Sequence, residues 1–330
     1  PAFERMFGVA AAAAKGRRAS EIFPYVDPMW TKTFEDVAST GTHQRFENQH
    51  GPEGHWYEVF VYPAGGDRVV MLYEDITERK RAEIALRESE ERQAFQLQLS
   101  DTIRPLSDPV EVVAVATEML GRRLGVGRCG YGEVDESGEY FIVDRDWTDG
   151  MMPSFKGKHL LVSFGPEFTA AYRAGRSVRI DDALADARAA GVEAAFEAAG
   201  GVRASLGIPL IKEGRFVAGL FVQQMEPRHW TDRDEALARD VIERTWSAVE
   251  RARAEAALRE SEERFRQFAD ASSGVLWIRD AKTLAATYVS AAAATVYGTA
   301  PELLIGDHHY WNSLVVPEDR AAMTAQLRHV

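Results

Sequence analysis

The sequence predicts an α+β protein in which small antiparallel sheets with flanking helices are joined by long, charged helices. The first observation is a near repeat: RAEIALRESEER at Arg81–Arg92 returns as RAEAALRESEER at Arg253–Arg264, 172 positions further on. A charged helical segment that is repeated at such spacing is typical of connectors between folded modules. Alternating apolar residues around short turns predict hairpins at 55–74 and 205–223, and helical spacing extends over 232–268.

Composition and charge limit the function classes. A chain of 330 residues with 45% hydrophobic and 27% charged residues suits two or three soluble globular domains. The net charge of −12 argues against nucleic acid and anionic membrane surfaces as partners. A single cysteine, Cys129, excludes an intramolecular disulfide and fits a reducing compartment. The apolar run Val9–Ala14 is far shorter than the ~20 residues of a membrane span, so we expect a cytoplasmic protein.

The first 77 residues read as helices followed by three strands. Helical spacing is present at Pro1–Gly8 and Glu35–Ser39, and His43–Gln49 looks extended. The strands His55–Pro63 and Arg68–Glu74 enclose a Gly-rich turn. Along the first strand, Trp56, Glu58, Phe60 and Tyr62 are expected to face one way and Tyr57, Val59 and Val61 the other. Thr77 is predicted to cap the helix that follows.

The middle of the chain alternates helices and strands. The sequence predicts a helix that ends near Leu124 and buries a stripe formed by Val112, Val115, Ala116 and Met119. Further strands are predicted at Val126–Val134, Tyr140–Trp147, His159–Phe164, Ser205–Ile211 and Phe216–Gln223. Further helices are predicted at Pro166–Ala174 and Ala189–Ala199.

The long helix at 232–268 carries a capping box, with Thr231 as the cap and Asp234 three residues later. A heptad stripe runs through Ile242, Thr245, Val249, Ala252 and Ala256. Arg259 falls where the next apolar residue should stand, and the stripe resumes in a new register as Leu258, Phe265 and Phe268. Such a helix suits parallel pairing with a second copy; the alternative is packing on its own domain.

The last segment repeats the small α/β theme. Strands are predicted at Val275–Asp280 and Leu284–Val289, a helix at Ala291–Tyr297, and another helix that opens at Pro317.

Several of these stretches resemble known families. Tyr73–Lys80 (YEDITERK) is similar to the end of a PAS domain and its exit helix, and PAFERMFG at 1–8 is similar to the segment after the second PAS strand. Val315–Arg320 (VVPEDR) resembles the VHPEDR turn of a second PAS domain, with Val316 in place of histidine. The hairpin 205–223, with Ile-Pro-Leu before its turn and Trp-Thr-Asp before the long helix, resembles a GAF domain.

The resemblance implies a PAS–GAF–PAS array. It divides the chain into a PAS domain without its N-terminal strands at 1–77, a linker helix at 78–104, a GAF domain at 105–231, a long signalling helix at 232–268, and a PAS domain without its C-terminal strands at 269–330. The two partial PAS units have two interpretations: the sequence is a fragment cut at both ends, or the two halves complete each other.

No catalytic residue can be named. Glycine-rich phosphate loops such as GxGxxG or GxxxxGK[ST] are absent, and none of the eight histidines stands in an HExxxP phosphoacceptor context. Gly65-Gly66-Asp67 begins like a GGDEF signature but continues as Arg-Val. His308 and His309 lack a third metal ligand at suitable spacing, so neither a metal site nor a haem site is predicted.

Cys129 has several interpretations by family resemblance. A flavin photosensor would carry its cysteine in a PAS domain, a bilin photoreceptor would have a histidine where Gly130 stands, and a GAF-type methionine sulfoxide reductase would need more cysteines. The remaining interpretation is a small residue packed on a strand beside Tyr131.

A ligand site is expected in the GAF unit by analogy, although the cyclic-nucleotide signature NKxFxxxDE is absent. The candidate residues, which core packing explains equally well, are Cys129, Tyr131, Trp147, Phe155, Phe164 and Tyr172. No cofactor can be named. The array is similar to the sensory region of bacterial histidine kinases of the HWE type, which implies a homodimer through 78–104 and 232–268, a kinase domain beyond Val330 and, indirectly, a response regulator. A diguanylate cyclase output, a transcriptional output, and a photoreceptor or redox function of the GAF unit are the alternatives.

Overall fold

The computed structural model describes residues 4, 9–22, 28–50, 54–283, 285–305, 310 and 313–322. Its sheets are antiparallel and flanked by helices, which confirms the α+β class. The chain divides into two compact units, residues 1–95 and 96–330. No described helix is both long and apolar enough to cross a membrane.

The first unit is a three-stranded sheet with helices. In chain order its elements are α1 (Ala11–Ala14), α2 (Ala19–Ile22), α3 (Pro28–Thr40), β1 (Gln44–His50), β2 (His55–Pro63) and β3 (Val69–Asp75). The strand order is β1-β2-β3. Tyr57, Val59 and Val61, which share one face of β2 as predicted, point inward and form a core with Trp30 and Val37 of α3. The predicted helix at 1–8 lies largely outside the described residues.

Helix α4 (Thr77–Ile103) begins directly after β3. Thr77 does not act as its cap: the Asp75 carboxylate accepts the Thr77 N–H at 2.9 Å. The Thr77 hydroxyl instead accepts a hydrogen bond from the backbone N–H of Trp56 at 2.9 Å. The first turn of α4 is therefore fixed to β2.

The second unit contains a larger sheet. Its elements are α5 (Pro109–Leu124), β4 (Arg128–Val134), β5 (Tyr140–Val143), β6 (Asp146–Thr148), β7 (Gly157–Leu160), α6 (Pro166–Arg173), β8 (Val178–Ile180), α7 (Glu193–Ala198), β9 (Ala204–Lys212), β10 (Arg215–Gln224) and α8 (Asp232–Ala271). The strand order is β7-β5-β4-β10-β9-β8, and β6 pairs with β4. Short 3₁₀ helices occur at Leu161–Phe164 and Ala187–Ala189.

Several sequence expectations in this unit were wrong in detail. The strand predicted at Tyr140–Trp147 is two strands, β5 and β6. The strand predicted at His159–Phe164 is β7 at 157–160, followed by a 3₁₀ turn. The helix predicted at 189–199 shortens to α7, because a 3₁₀ turn and Gly191, at a φ of 88°, interrupt it. Strand β8, only three residues long, was not predicted at all. On α5 the buried residues are Val112, Val113, Ala116, Thr117, Leu120 and Gly121, whereas Val115 and Met119 of the predicted stripe are half-buried.

Helices α5 and α8 pack against each other, and both contact the sheet. The predicted capping box of α8 is confirmed, with Thr231 and Asp234 exchanging hydrogen bonds. The heptad residues Ile242, Thr245, Val249 and Ala252 are buried within the unit. The first half of the stripe thus packs on its own domain, as the alternative interpretation held. Beyond Arg253 the side chains of α8 are exposed as far as Phe268.

The described C-terminal residues form a hairpin and a short helix. These are β11 (Trp277–Arg279), β12 (Ala286–Val289), α9 (Ala292–Val296) and a 3₁₀ turn at Pro301–Leu303. Buried Ala286, Val289, Ala293 and Leu304 form their core. Arg320 donates to the carbonyl of Val315 at 2.8 Å, which closes the turn predicted there. His308, His309 and Leu284 lie outside the described residues.

Candidate functional site

A cavity of about 490 Å³ lies in the second unit, within the ~300–1,000 Å³ range of small-molecule sites. Strands β9 and β10 contribute to its floor, and α6, α7 and the 161–164 turn contribute to its walls. Its lining includes the aromatic residues Phe141, Phe155, Phe164, Phe168, Tyr172, Phe196, Phe216 and Phe221, with His159.

Glycines in the strands make room for these rings. A Cβ atom on Gly130 would lie 2.1 Å from Cζ of Phe221, and one on Gly207 would lie 2.2 Å from the Tyr172 hydroxyl. Both separations are too short for real atoms, so a larger residue at either position would displace a ring. The aromatic side chains can therefore lie directly on the sheet.

The aromatic walls are ordered by ring contacts. Phe155 and His159 stack with centroids 3.9 Å apart, and His159 Nε2 lies 2.9 Å from the Phe155 carbonyl oxygen. Phe155 meets Phe221 edge to face at 5.5 Å, and Tyr172 stacks on Phe216 at 6.0 Å. Flat ring surfaces of this kind favour a planar ligand.

Arg128 is a fully buried cation at the edge of this site. It donates to the Pro153 carbonyl at 2.7 Å, to the Ala199 carbonyl at 2.8 Å, and from Nε to Gln223 Oε1 at 2.8 Å. Burial lowers the pKa of the guanidinium to about 10, and the nearby Asp146 carboxylate partly offsets that effect. These bonds tie β4 to β10 and to the segments before β7 and after α7.

Three polar groups that line the cavity have no hydrogen-bond partner in the described part of the chain. They are the Tyr172 hydroxyl, the Ser205 hydroxyl and the Gln223 Nε2 amide. Burial raises the pKa of Tyr172 to about 12, so its hydroxyl stays protonated near neutrality and can donate. Polar groups left without partners at a cavity wall are available to a ligand or to water.

The sequence-based candidates divide between the two faces of the sheet. Phe155, Phe164 and Tyr172 line the cavity. Cys129, Tyr131 and Trp147 do not, because side chains alternate along β4 and β6. The indole of Trp147 lies against Gly121 of α5, and Tyr131 faces Val113 and Val249 on the helical side.

Cys129 is fully buried on the helical side, and burial raises the pKa of its thiol. A buried protonated thiol that faces away from the cavity cannot anchor a chromophore there. The interpretation as a packing residue on the strand agrees with this placement.

Three informative residues were missed by sequence reasoning: Ser205 and Gln223 line the cavity, and Arg128 adjoins it. Arg128, Ser205 and Gln223 are polar residues in otherwise apolar strands. The sequence-based search selected mainly aromatic residues, so it passed over them. The available signal was the strand alternation itself: Arg128, Gly130 and Gly132 share the face of β4 that is opposite Cys129 and Tyr131.

Family comparisons agree with the two units. Residues 108–249 match the family model of the GAF domain, and residues 1–81 match that of the PAS fold. No curated protein matches the chain significantly.

Solved structures with similarity to this chain align over about half of its length. The free methionine-R-sulfoxide reductase of Neisseria meningitidis is 14% identical, with 49% of this chain and 90% of that chain covered and a TM-score of 0.40. The GAF domain of a Coxiella burnetii phosphoenolpyruvate-protein phosphotransferase is 15% identical, with 50% and 96% covered and a TM-score of 0.42. The phycocyanobilin-bound GAF domain of a cyanobacterial phytochrome is 15% identical, with 50% and 96% covered and a TM-score of 0.43.

Proposed function

We propose that this chain, a sensory signalling module in which a PAS fold at residues 1–81 precedes a GAF domain at residues 108–249, is the sensory region of a two-component histidine kinase. In this proposal a small molecule binds the GAF cavity, and helices α4 and α8 carry the response to a kinase domain beyond Val330. A response regulator would then be an indirect partner. One observation carries the proposal: α8 packs on the same strands, β9 and β10, that form the cavity floor.

Ion pairs fasten the first half of α8 to the sheet. Arg179 of β8 pairs with Glu235 at 2.7 Å, and Lys212 of β9 pairs with Glu243 at 2.6 Å. Arg253 pairs with Glu133 of β4 at 2.8 Å, where the exposed half of α8 begins. If the sheet moves when a ligand binds, these ion pairs can transmit the movement directly to α8.

The end of α4 runs parallel to α8 along a ladder of polar contacts. Gln96 donates to the Asp240 carboxylate, and Arg244 donates to the Ser100 hydroxyl at 2.9 Å. Arg251 donates to the Arg104 carbonyl at 2.5 Å. The connector that leaves the PAS fold thus ends on the helix that leaves the GAF domain, so both domains can act on α8.

The exposed half of α8 is the surface that we assign to a second copy of the chain. Leu258 and Phe268 are 61% and 69% exposed on a segment that its own domain does not cover. The intrahelical pairs Arg259–Glu255 at 3.5 Å and Arg264–Glu260 at 3.8 Å contribute only about 0.3–0.5 kcal/mol each. Identical stripes at the same height favour a parallel twofold pair.

Carbazole, an uncharged tricyclic aromatic, tests the cavity as a binding site. We expect it to bind the full chain in fluorescence titrations and to alter hydrogen exchange in residues 254–268. Ala195 of α7 lines the cavity, so the added ring of Ala195→Phe should obstruct it and abolish binding. Ala194, its exposed neighbour, gives the control variant Ala194→Phe, which should bind normally.

Two results would contradict the proposal. One is carbazole binding that is equal in the two variants, because the cavity would then not be the site. The other is tight binding without any change of exchange in α8, because the cavity would then not report to the helix.

A further inference from the structure

We propose that the GAF cavity selects an uncharged, planar heterocycle with a carbonyl group, and that the side-chain amide of Gln223 donates a hydrogen bond to the oxygen of that carbonyl. The inference rests on the proposed function, since it assumes that the cavity binds a ligand, and it adds the chemical class of that ligand.

Arg128 fixes which end of the Gln223 amide is free. A guanidinium can only donate hydrogen bonds, so the atom of Gln223 that faces it must be the carbonyl oxygen. Two donors of Arg128, Nε and Nη2, converge on Oε1 of Gln223. Both N–H groups of Nε2 then have no acceptor among the described residues, and the side chain that carries them lines the cavity. A neutral donor held in this way matches a carbonyl oxygen.

The strand register gathers further hydroxyl groups around this amide. Gln223 lies opposite Arg128 on β4 and opposite Ser205 on β9, so the three residues form one row across the sheet. Directly opposed residues have Cβ atoms ~4.5–5.5 Å apart. Gly207, two residues along the same face from Ser205, lies against the Tyr172 hydroxyl. The Gln223 amide, the Ser205 hydroxyl and the Tyr172 hydroxyl therefore belong to neighbouring positions on the cavity face of the sheet.

The charges around the cavity disfavour an ionic ligand. No Asp, Glu, Lys or Arg is found among the described residues that line it. Arg128 is nearby, but its guanidinium is already shared by Gln223 and two carbonyls. The Asp146 carboxylate accepts hydrogen bonds from Ser154 and from the Phe155 N–H at 2.6 Å. A phosphate or carboxylate would therefore lose its hydration without gaining a free cation, and a cation would gain no free carboxylate.

Three fluorescent tricyclic probes separate these properties. Carbazole has the rings and an N–H but no carbonyl, acridone adds the carbonyl, and acridone-4-carboxylate adds a negative charge. We expect acridone to bind the full chain about 3- to 10-fold more tightly than carbazole, as one neutral hydrogen bond allows. Acridone-4-carboxylate should bind at least about 10-fold more weakly than acridone.

A matched pair of variants tests the assigned residue. Gln223→Glu keeps an oxygen for Arg128 but replaces the amide donors with a carboxylate oxygen, so acridone should bind at least about 10-fold more weakly. Gln224→Glu makes the same chemical change one residue later, where Oε1 accepts the Gly127 N–H at 2.7 Å and the side chain does not line the cavity. Acridone affinity should change less than about twofold there. Thermal unfolding of both variants checks that each is folded.

The outcomes separate this inference from the proposed function. Equal binding of acridone and carbazole, with both unaffected by Gln223→Glu but abolished by Ala195→Phe, would overturn the carbonyl assignment and leave the cavity as a ligand site. Binding of acridone-4-carboxylate as tight as that of acridone would overturn the charge selection. Failure of carbazole and acridone alike to bind the wild-type chain would instead count against the proposed function.

Discussion

Replacing Arg251 tests the physical link between α4 and α8. Its guanidinium donates to the carbonyls of Arg104 and Ile103 at 2.5 and 3.3 Å, at the C-terminus of α4. The Ile103 carbonyl also accepts the Leu106 N–H at 3.3 Å, and a cation at this end of the helix meets the negative end of the helix dipole. One charged hydrogen bond contributes about 1.5–3 kcal/mol, and the second is long. Because Arg251 is half-buried, we expect Arg251→Ala to cost about 2 kcal/mol.

That cost should appear in two measurements. The melting temperature should fall by about 4–8 °C, since each kcal/mol shifts a domain of this size by about 2–4 °C. Amide hydrogens at 98–104 should exchange about 30-fold faster if they open with this contact. Arg264→Ala is the control, because Arg264 is exposed and contacts Glu260 at 3.8 Å on its own helix. If both substitutions changed exchange at 98–104 equally, Arg251 would not be the residue that holds the end of α4 against α8.

Three further predictions concern other parts of the chain. Arg259→Leu should extend the apolar stripe beyond Ala256 and tighten dimerisation by about 10-fold in analytical ultracentrifugation. Arg264→Leu, on another face of the helix, should leave dimer affinity unchanged. Equal dimer affinity in wild type and Arg259→Leu would count against pairing through this segment. The Cys129 thiol should not react with an aromatic disulfide in the native chain and should react fully in denaturant, because it is buried and its pKa is raised; rapid native reaction would show that the strand face is open. Arg203, hydrogen-bonded to both carboxylate oxygens of Asp182 at 2.6 and 2.7 Å, holds the pKa of Asp182 below its usual range. The stability from this pair is therefore complete above the unfolded pKa of about 4 and is lost as the pH falls through the lower folded value. Melting curves between pH 5 and 2.5 should show the advantage of wild type over Asp182→Asn shrinking on acidification, and a constant difference would disprove the linkage.

The elements that the sequence predicted well are those with a strong local signal. The hairpins at 55–74 and 205–223 combine strand alternation with turn residues, and α8 combines helical spacing with the Thr231 capping box. Elements of three or four residues, such as β8, carry too few alternations to be distinguished from loop. The prediction of Thr77 as a helix cap was wrong for another reason. Its hydroxyl accepts the N–H of Trp56, 21 residues away, instead of an N–H in the first turn of its own helix.

The candidate site was only half predictable for a similar reason. Aromatic residues mark a core or a cavity, but sequence alone does not show which face of a strand each one occupies. Adjacent residues of β4 point to opposite faces of the sheet, so Tyr131 faces the helices and Gly130 lies beneath Phe221. The heptad in α8 was ambiguous as well, since Ile242 and Val249 satisfy the pattern equally against a domain or a second helix. The structure buries both residues within the second unit, and pairing of α8 with a second copy stays a prediction.

Hydrogen exchange along α8, measured with and without saturating acridone, tests most directly whether the cavity controls the helix. We expect slower exchange at 240–253, where α8 packs on the sheet, and a changed rate at 254–268, with both effects absent in Ala195→Phe. Unchanged exchange across the whole of α8 in a chain that demonstrably binds acridone would contradict it.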